Sequence, residues 1–214
     1  LAAGDTKVVE RGKADGMFIN TTGLGMPVPG FEPAPSRIRV GDRILVSGPL
    51  GRHGITVLAA RGELALEVEL ESDTAPLHGL VEALRKAVGP EVRALRDPTR
   101  GGLASALNEM AFASGAGILL KDGSLPLPTP VRGACELLGL DPLYVANEGI
   151  LVAVVSSEAA EAALAALRNH PFGKDAVLVG EVTREHAGLV RLETPLGATR
   201  IVDLLPGDQL PRIC

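Results

Sequence analysis

The sequence predicts an α+β domain, and three observations carry that reading. Helical and strand-like stretches follow one another without strict alternation, which disfavours a doubly wound parallel sheet. Hydrophobic residues fill 46% of 214 positions while aromatics fill 2%, with no Trp, so the core is expected to be aliphatic. Gly 26 and Pro 16 punctuate the chain throughout, which calls for many tight loops.

In chain order, residues 4–9 (GDTKVV) look like a loop entering an extended segment, and residues 16–22 (GMFINTT) read as a strand ending at Gly23. Pro27, Pro29, Pro33 and Pro35 mark a linker. Domain organisation is therefore expected as 1–36, the remnant of a first domain plus linker; 37–204, an α+β domain; and 205–214, a tail. Residues 43–47 (RILVS) form a strand and 53–61 a short helix. Residues 64–70 alternate Leu/Val with Glu, the period of a half-buried strand. Leu77, Leu80, Val81, Leu84 and Val88 share one helix face, with Thr74 or Asp73 as the cap and Pro76 in the first turn. A strand over 92–95 precedes a helix with Leu103, Ala106, Leu107 and Met110 inward. A strand over 118–120, a helix over 131–138 and a buried strand over 150–155 come next. Ser157 caps a helix carrying Ala160, Ala163, Leu164 and Leu167 inward. Strands over 177–182, 189–192 and 200–202 complete the chain.

The net charge of −5, without a basic stripe, argues against nucleic acid and against an anionic membrane surface. No apolar run reaches membrane-span length and no signal peptide is visible, so the cytoplasm is the expected compartment. Cys135 falls in an apolar helical pattern and is expected to be a buried, reduced thiol. Cys214 ends the chain after an aperiodic stretch with Pro206, Gly207 and Pro211. Ten extended residues reach roughly 33–36 Å, so this thiol reads either as a tethered nucleophile or as a frayed end. The chain opens without Met, at Leu1-Ala2-Ala3, and is expected to be a fragment.

Chemistry has three candidate seats. In Gly4-Asp5-Thr6-Lys7, Asp can hold Mg²⁺, Thr can donate to an oxygen and Lys is a point charge for phosphate; a solvated turn would look the same. Residues 97–102 (DPTRGG) put Asp97, Thr99 and Arg100 at a helix N-terminus, where free N–H groups favour anions; an Asp cap with glycines for packing is the alternative. Asn147-Glu148-Gly149 precedes the apolar strand, and a carboxylate there can serve as a general base or merely complete a polar turn. His53 reads as a satisfied loop or helix-start histidine. His78, His170 and His186 lack metal-ligand spacing.

Taken together, GDTKVVERGKADGMFINTTGLG, DPTRGGLASALNEMA, CELLGLDPLYVANEG and the terminal PRIC resemble the hydrogenase maturation family HypE, of the aminoimidazole ribonucleotide synthetase superfamily of ATP-using enzymes. The resemblance runs along essentially the whole chain, with PRIC its most specific feature. It implies that the chain lacks most of an N-terminal domain bearing much of the ATP site and the dimer interface, so that the fragment alone is inactive.

The resemblance implies a two-step chemistry for NiFe hydrogenase maturation. HypF transfers a carbamoyl group to Cys214. ATP then drives dehydration of the thiocarbamate to a thiocyanate, and the cyano group passes to iron on the HypC–HypD complex. By motif match, Glu148 and Lys7 handle the nitrogen protons. Asp5 and Thr6 belong to a phosphate/Mg²⁺ loop, with Asp5 as the Mg²⁺ ligand. Asp97, Thr99, Arg100 and Asn147 face the nucleotide. Gly207-Asp208-Gln209 stands where the family usually has a Glu-Pro pair, a departure that touches tail flexibility. Full-length protein is expected to be a homodimer. Two rivals remain: another enzyme of the superfamily, such as selenophosphate synthetase or thiamine monophosphate kinase, and a non-catalytic fragment that docks maturation partners. Neither enzyme needs a C-terminal thiol.

Overall fold

A computed structural model describes residues 8–13, 19–20, 22–61 and 70–204. Among them, seven strands form one sheet: β1 (Arg43–Val46), β2 (Val92–Arg96), β3 (Gly117–Lys121), β4 (Val152–Val155), β5 (Val177–Thr183), β6 (Val190–Glu193) and β7 (Thr199–Ile201). Their order is β2-β4-β1-β5-β3-β6-β7. Neighbours run antiparallel except β3 and β6, which are parallel. The α-helices are α1 (Arg52–Ala60), α2 (His78–Val88), α3 (Gly102–Ser114), α4 (Thr129–Leu138) and α5 (Ala160–Arg168). The α+β expectation holds.

The sheet is covered on both faces, and the period of the strand explains how. Ile44 and Val46 of β1, with Val152 and Val154 of β4, point to the face where Leu103 and Leu107 of α3 pack. Leu45, Ala153 and Val155 point the other way, onto Leu80 and Leu84 of α2 and Leu167 of α5. Burial on both faces is why residues 150–155 read as an unbroken apolar run rather than an alternating one. A third cluster packs Ile55 and Leu58 of α1 against Val131 and Cys135 of α4 and against Val145.

Several local expectations are corrected. α2 begins at His78, and neither Thr74 nor Asp73 caps it; Leu77 holds the cap position without a side-chain bond. The carboxylate of Asp73 is used elsewhere, on the backbone N–H of Glu148. Ser157 does not cap α5 either, because residues 157–159 form a 3-10 turn that leads into the helix. Ile150 and Leu151 precede β4 rather than opening it. The proline-rich stretch carries an isolated bridge between Val28 and Phe31. Its end is tied to the sheet, with Ala34 N–H donating to Arg93 O at 2.8 Å and Arg37 reaching Pro90 O. Of the strand expected over 16–22, the described residues Ile19, Asn20 and Thr22 carry no regular structure. Most of the strand expected over 64–70 lies outside the described residues.

Leu107 sits fully buried at the centre of α3. Leu107→Ala is expected to lower unfolding free energy by about 2–5 kcal/mol in urea titration. Leu196→Ala, at a position 96% exposed, should change it by less than about 0.5 kcal/mol.

Candidate active site

Sheet register builds one corner. Val46 of β1 and Arg96 of β2 both lie opposite Val152 of β4. The strands β1 and β2 therefore end where β4 begins, and the loops 47–51, 97–101 and 147–151 meet there. Ser47 N–H donates to Leu151 O and Leu151 N–H donates to the Ser47 hydroxyl, closing the base of the corner.

Asn147 ties the three loops together. Its Oδ1 accepts from Gly51 N–H at 2.7 Å, and its Nδ2 donates to Pro98 O and Val145 O, each at 3.0 Å. Its own N–H also donates to Pro98 O. The side chain is 1% exposed and both amide hydrogens are spent on backbone carbonyls. The geometry thus places Asn147 beneath the loops, bonded to their backbones.

The DPTRGG loop enters α3 through two left-handed residues, Gly101 (φ 69°) and Gly102 (φ 60°). A Cβ on Gly102 would stand 2.5 Å from Leu143 O and 2.7 Å from Val145 O, so the helix start presses on the backbone just before Asn147. Among the other candidates on this loop, Asp97 and Arg100 are exposed and Thr99 is half-buried. The structure brings Asp97, Thr99, Arg100, Asn147 and Glu148 to one corner. Asp5, Thr6, Lys7 and Cys214 lie outside the described residues.

Glu148 is half-buried, and its N–H donates to Asp73 Oδ1 at 2.9 Å. Burial pushes the Asp73 carboxyl above its usual range, against the opposing pull of the Glu148 amide, His53 and Arg52. His53, in the first turn of α1, meets Ser72 Oγ through Nδ1 at 2.9 Å, and Ser72 Oγ meets Thr74 Oγ1 at 2.8 Å. His53 Nε2 and Asp73 Oδ2 are buried without a hydrogen-bond partner. Asp73 was legible in the sequence only as a helix cap, because nothing local pairs it with a residue 75 positions away.

The last described residues are pinned near this corner. Tyr144 Oη donates to Asp203 O at 2.7 Å, and Asn108 Nδ2 donates to Val202 O at 2.8 Å. Cys135 is 2% exposed and unpaired. Burial, then Asp141 and Glu136, push its thiol up to about 11. Among the described residues there is no group of three or more His, Cys, Asp or Glu that could hold a metal ion. None of their helices is long and apolar enough to cross a membrane.

Residues 39–192 match the family model for the C-terminal domain of AIR synthase related proteins. The chain belongs to the AIR synthase related family. Within that family, it is 53% identical over all 214 residues to carbamoyl dehydratase HypE of Azotobacter vinelandii, and it spans 62% of that relative's length. A crystal structure of HypE in complex with ATP aligns with 85% of the chain and 55% of its own length, at 46% identity and a TM-score of 0.79. A HypE–HypF complex aligns with 81% of the chain and 56% of its own, at 43% identity and 0.78. These findings bear out the resemblance to HypE read from the motifs.

Asn147→Ala strands Gly51 N–H and Val145 O in a buried setting and leaves Pro98 O only the backbone N–H of residue 147, so unfolding free energy should fall by at least ~2 kcal/mol in urea titration. Cys135 has a raised pKa in the fold, so its neutral thiol contributes stability that is present below the ordinary thiol pKa and lost as pH rises through about 11. At pH 8, iodoacetamide should therefore modify Cys135 at least ~10-fold more slowly in native protein than in urea, read by peptide mass.

Proposed function

We propose that the chain serves NiFe hydrogenase maturation as part of an ATP-dependent carbamoyl dehydratase, acting on a carbamoyl group carried by its own Cys214. The observation that carries this reading is the 53% identity to HypE carbamoyl dehydratase over all 214 residues. The HypE–HypF complex supports HypF as the carbamoyl donor, and the ATP complex supports ATP as co-substrate.

The chemistry sets what the corner has to do. A thiocarbamate oxygen is a poor leaving group, so it attacks the γ-phosphorus of ATP and ADP departs. One nitrogen proton is lost as the O-phosphorylated imidate forms. Loss of the second nitrogen proton expels inorganic phosphate and leaves S–C≡N on Cys214. The oxygen leaves in phosphate, so the net change is removal of water. Glu148 is the acceptor for a nitrogen proton, with Lys7 the second group that handles protons and stabilises the phosphorylated oxygen. Thr99 and Arg100 hold the phosphates beside the start of α3, with Asp97 on the same loop. Asp5 and Thr6 supply the second phosphate loop, and Asp5 holds Mg²⁺.

A tethered thiol must be reachable for carbamoylation and then sheltered from water during dehydration. The tail is the device for both, leaving the domain at Asp203 beside Tyr144. The cyano group of the thiocyanate passes to iron on a HypC–HypD type acceptor in the cytoplasm, while the sulfur stays on Cys214, and the whole enzyme works as a homodimer. The domain limits 1–36, 37–204 and 205–214 belong to the same proposal.

Glu148→Gln tests the assignment. The assay uses the chain joined to the part of the Azotobacter vinelandii relative that it leaves uncovered, with HypF, carbamoyl phosphate and ATP. The variant should accept the carbamoyl group normally, yet dehydrate it about 10²–10⁴ times more slowly, because Gln keeps the shape but takes no proton. Intact mass should show carbamoyl-Cys214 persisting in the presence of ATP. A wild-type dehydration rate in a folded variant removes Glu148 from the role.

A further inference from the structure

The segment before α2 touches Glu148 through one side chain and through packing. Asp73 Oδ1 accepts from Glu148 N–H at 2.9 Å across 75 residues of sequence. Behind that bond, Gly149 leaves no room: a Cβ there would stand 1.7 Å from Asp73 O and 2.8 Å from Ala75 N. Glu148 is therefore held at its own N–H by a hydrogen bond, and the following Gly149 by backbone contact. The segment is itself braced. Ser72 Oγ meets His53 Nδ1 from the first turn of α1, and Thr74 N–H donates back to Ser72 Oγ.

We propose that Asp73 is the positioning residue for Glu148, fixing the peptide from which its carboxylate projects toward the carbamoyl nitrogen; this rests on the reading of Glu148 given above. Glu148 itself lies outside any helix or strand, four residues before β4 begins, so regular structure alone does not orient it. A general base works only within hydrogen-bond reach of its proton. Misplacement by about 1 Å can cost on the order of 10²-fold in rate. The bond from Asp73 fixes the Glu148 amide, and the close packing on Gly149 fixes the next peptide, which leaves the side-chain torsions as the main freedom.

The position makes a graded test possible. Asp73→Asn keeps an oxygen where Oδ1 accepts from Glu148 N–H. Asp73→Ala removes it, and Asp73→Ser is too short to replace it. In the same extended protein, Asp73→Ala should slow ATP-dependent dehydration about 10–100-fold, with the KM for ATP and the rate of carbamoyl transfer from HypF unchanged. Asp73→Asn should recover most of the lost rate. Hydrogen exchange at the Glu148 amide should follow the same ranking, faster in Asp73→Ala and protected in Asp73→Asn. A simple loss of stability would instead lower both steps together and raise exchange throughout the domain. Should Asp73→Ala fail to fold, Asp73→Ser against Asp73→Asn gives the same comparison. Dehydration at the wild-type rate in a folded Ala or Ser variant overturns the proposal. Equal slowing in Ala and Asn variants also overturns it, since the charge and not the bond would then matter. Glu148→Gln run in parallel separates the two ideas. A fast Glu148→Gln defeats the base assignment and this proposal with it. A slow Glu148→Gln beside a fast Asp73→Ala defeats only the positioning role.

Discussion

Three backbone loops depend on one buried amide. The Asn147 side chain accepts from Gly51 and donates to Pro98 and Val145, using both of its amide hydrogens. A carboxamide is well suited to this position, since it offers a planar acceptor and two donors without charge. Leu or Ala would leave the Val145 carbonyl and the Gly51 amide unpaired, with Pro98 O keeping only the backbone N–H of residue 147, and Asp would present an oxygen where a donor is required. Because each loop ends or begins a strand, this interaction converts sheet register into the placement of side chains.

The sheet supplies the rigidity on which that placement rests. β1, β2 and β4 are buried on both faces, with α3 on one side and α2 and α5 on the other. Interiors packed this way deform little, so the corner where Val46 and Arg96 meet Val152 is a fixed reference. The polar residues sit just beyond it, where loops gain freedom to approach a ligand. Two left-handed glycines let the DPTRGG loop turn into α3 while its backbone closes on Leu143 and Val145. Tyr144, three positions before Asn147, holds Asp203 O, so the last described residues lie close to the corner.

Electrostatics at the corner are asymmetric. Asp73 is buried enough that desolvation outweighs the Glu148 amide, His53 and Arg52, whereas Asp97 and Arg100 face solvent on the adjoining loop. One side of the corner is therefore a shielded brace and the other an open, charged surface. Glu148, the proton acceptor proposed above, lies half-buried at the boundary between them.

The sequence determined the fold class and most elements, because period-two and period-3.6 patterns report burial directly. The face of α3 with Leu103, Ala106, Leu107 and Met110 is buried as its spacing implied, and Cys135 is the buried thiol its apolar pattern required. The motifs DPTRGG and ANEG were legible because glycine, proline and charged residues in short loops are chemically distinctive. Caps were less legible: Asp73 and Ser157 are cap-type residues, yet Leu77 and Ala159 hold the cap positions, and local sequence does not decide where a helix starts. Only the tertiary structure placed Asp73 on Glu148 and turned Asn147 inward to join three loops. Those contacts span 75 and 96 residues, and their partners are backbone groups, which every residue carries and no sequence pattern can single out.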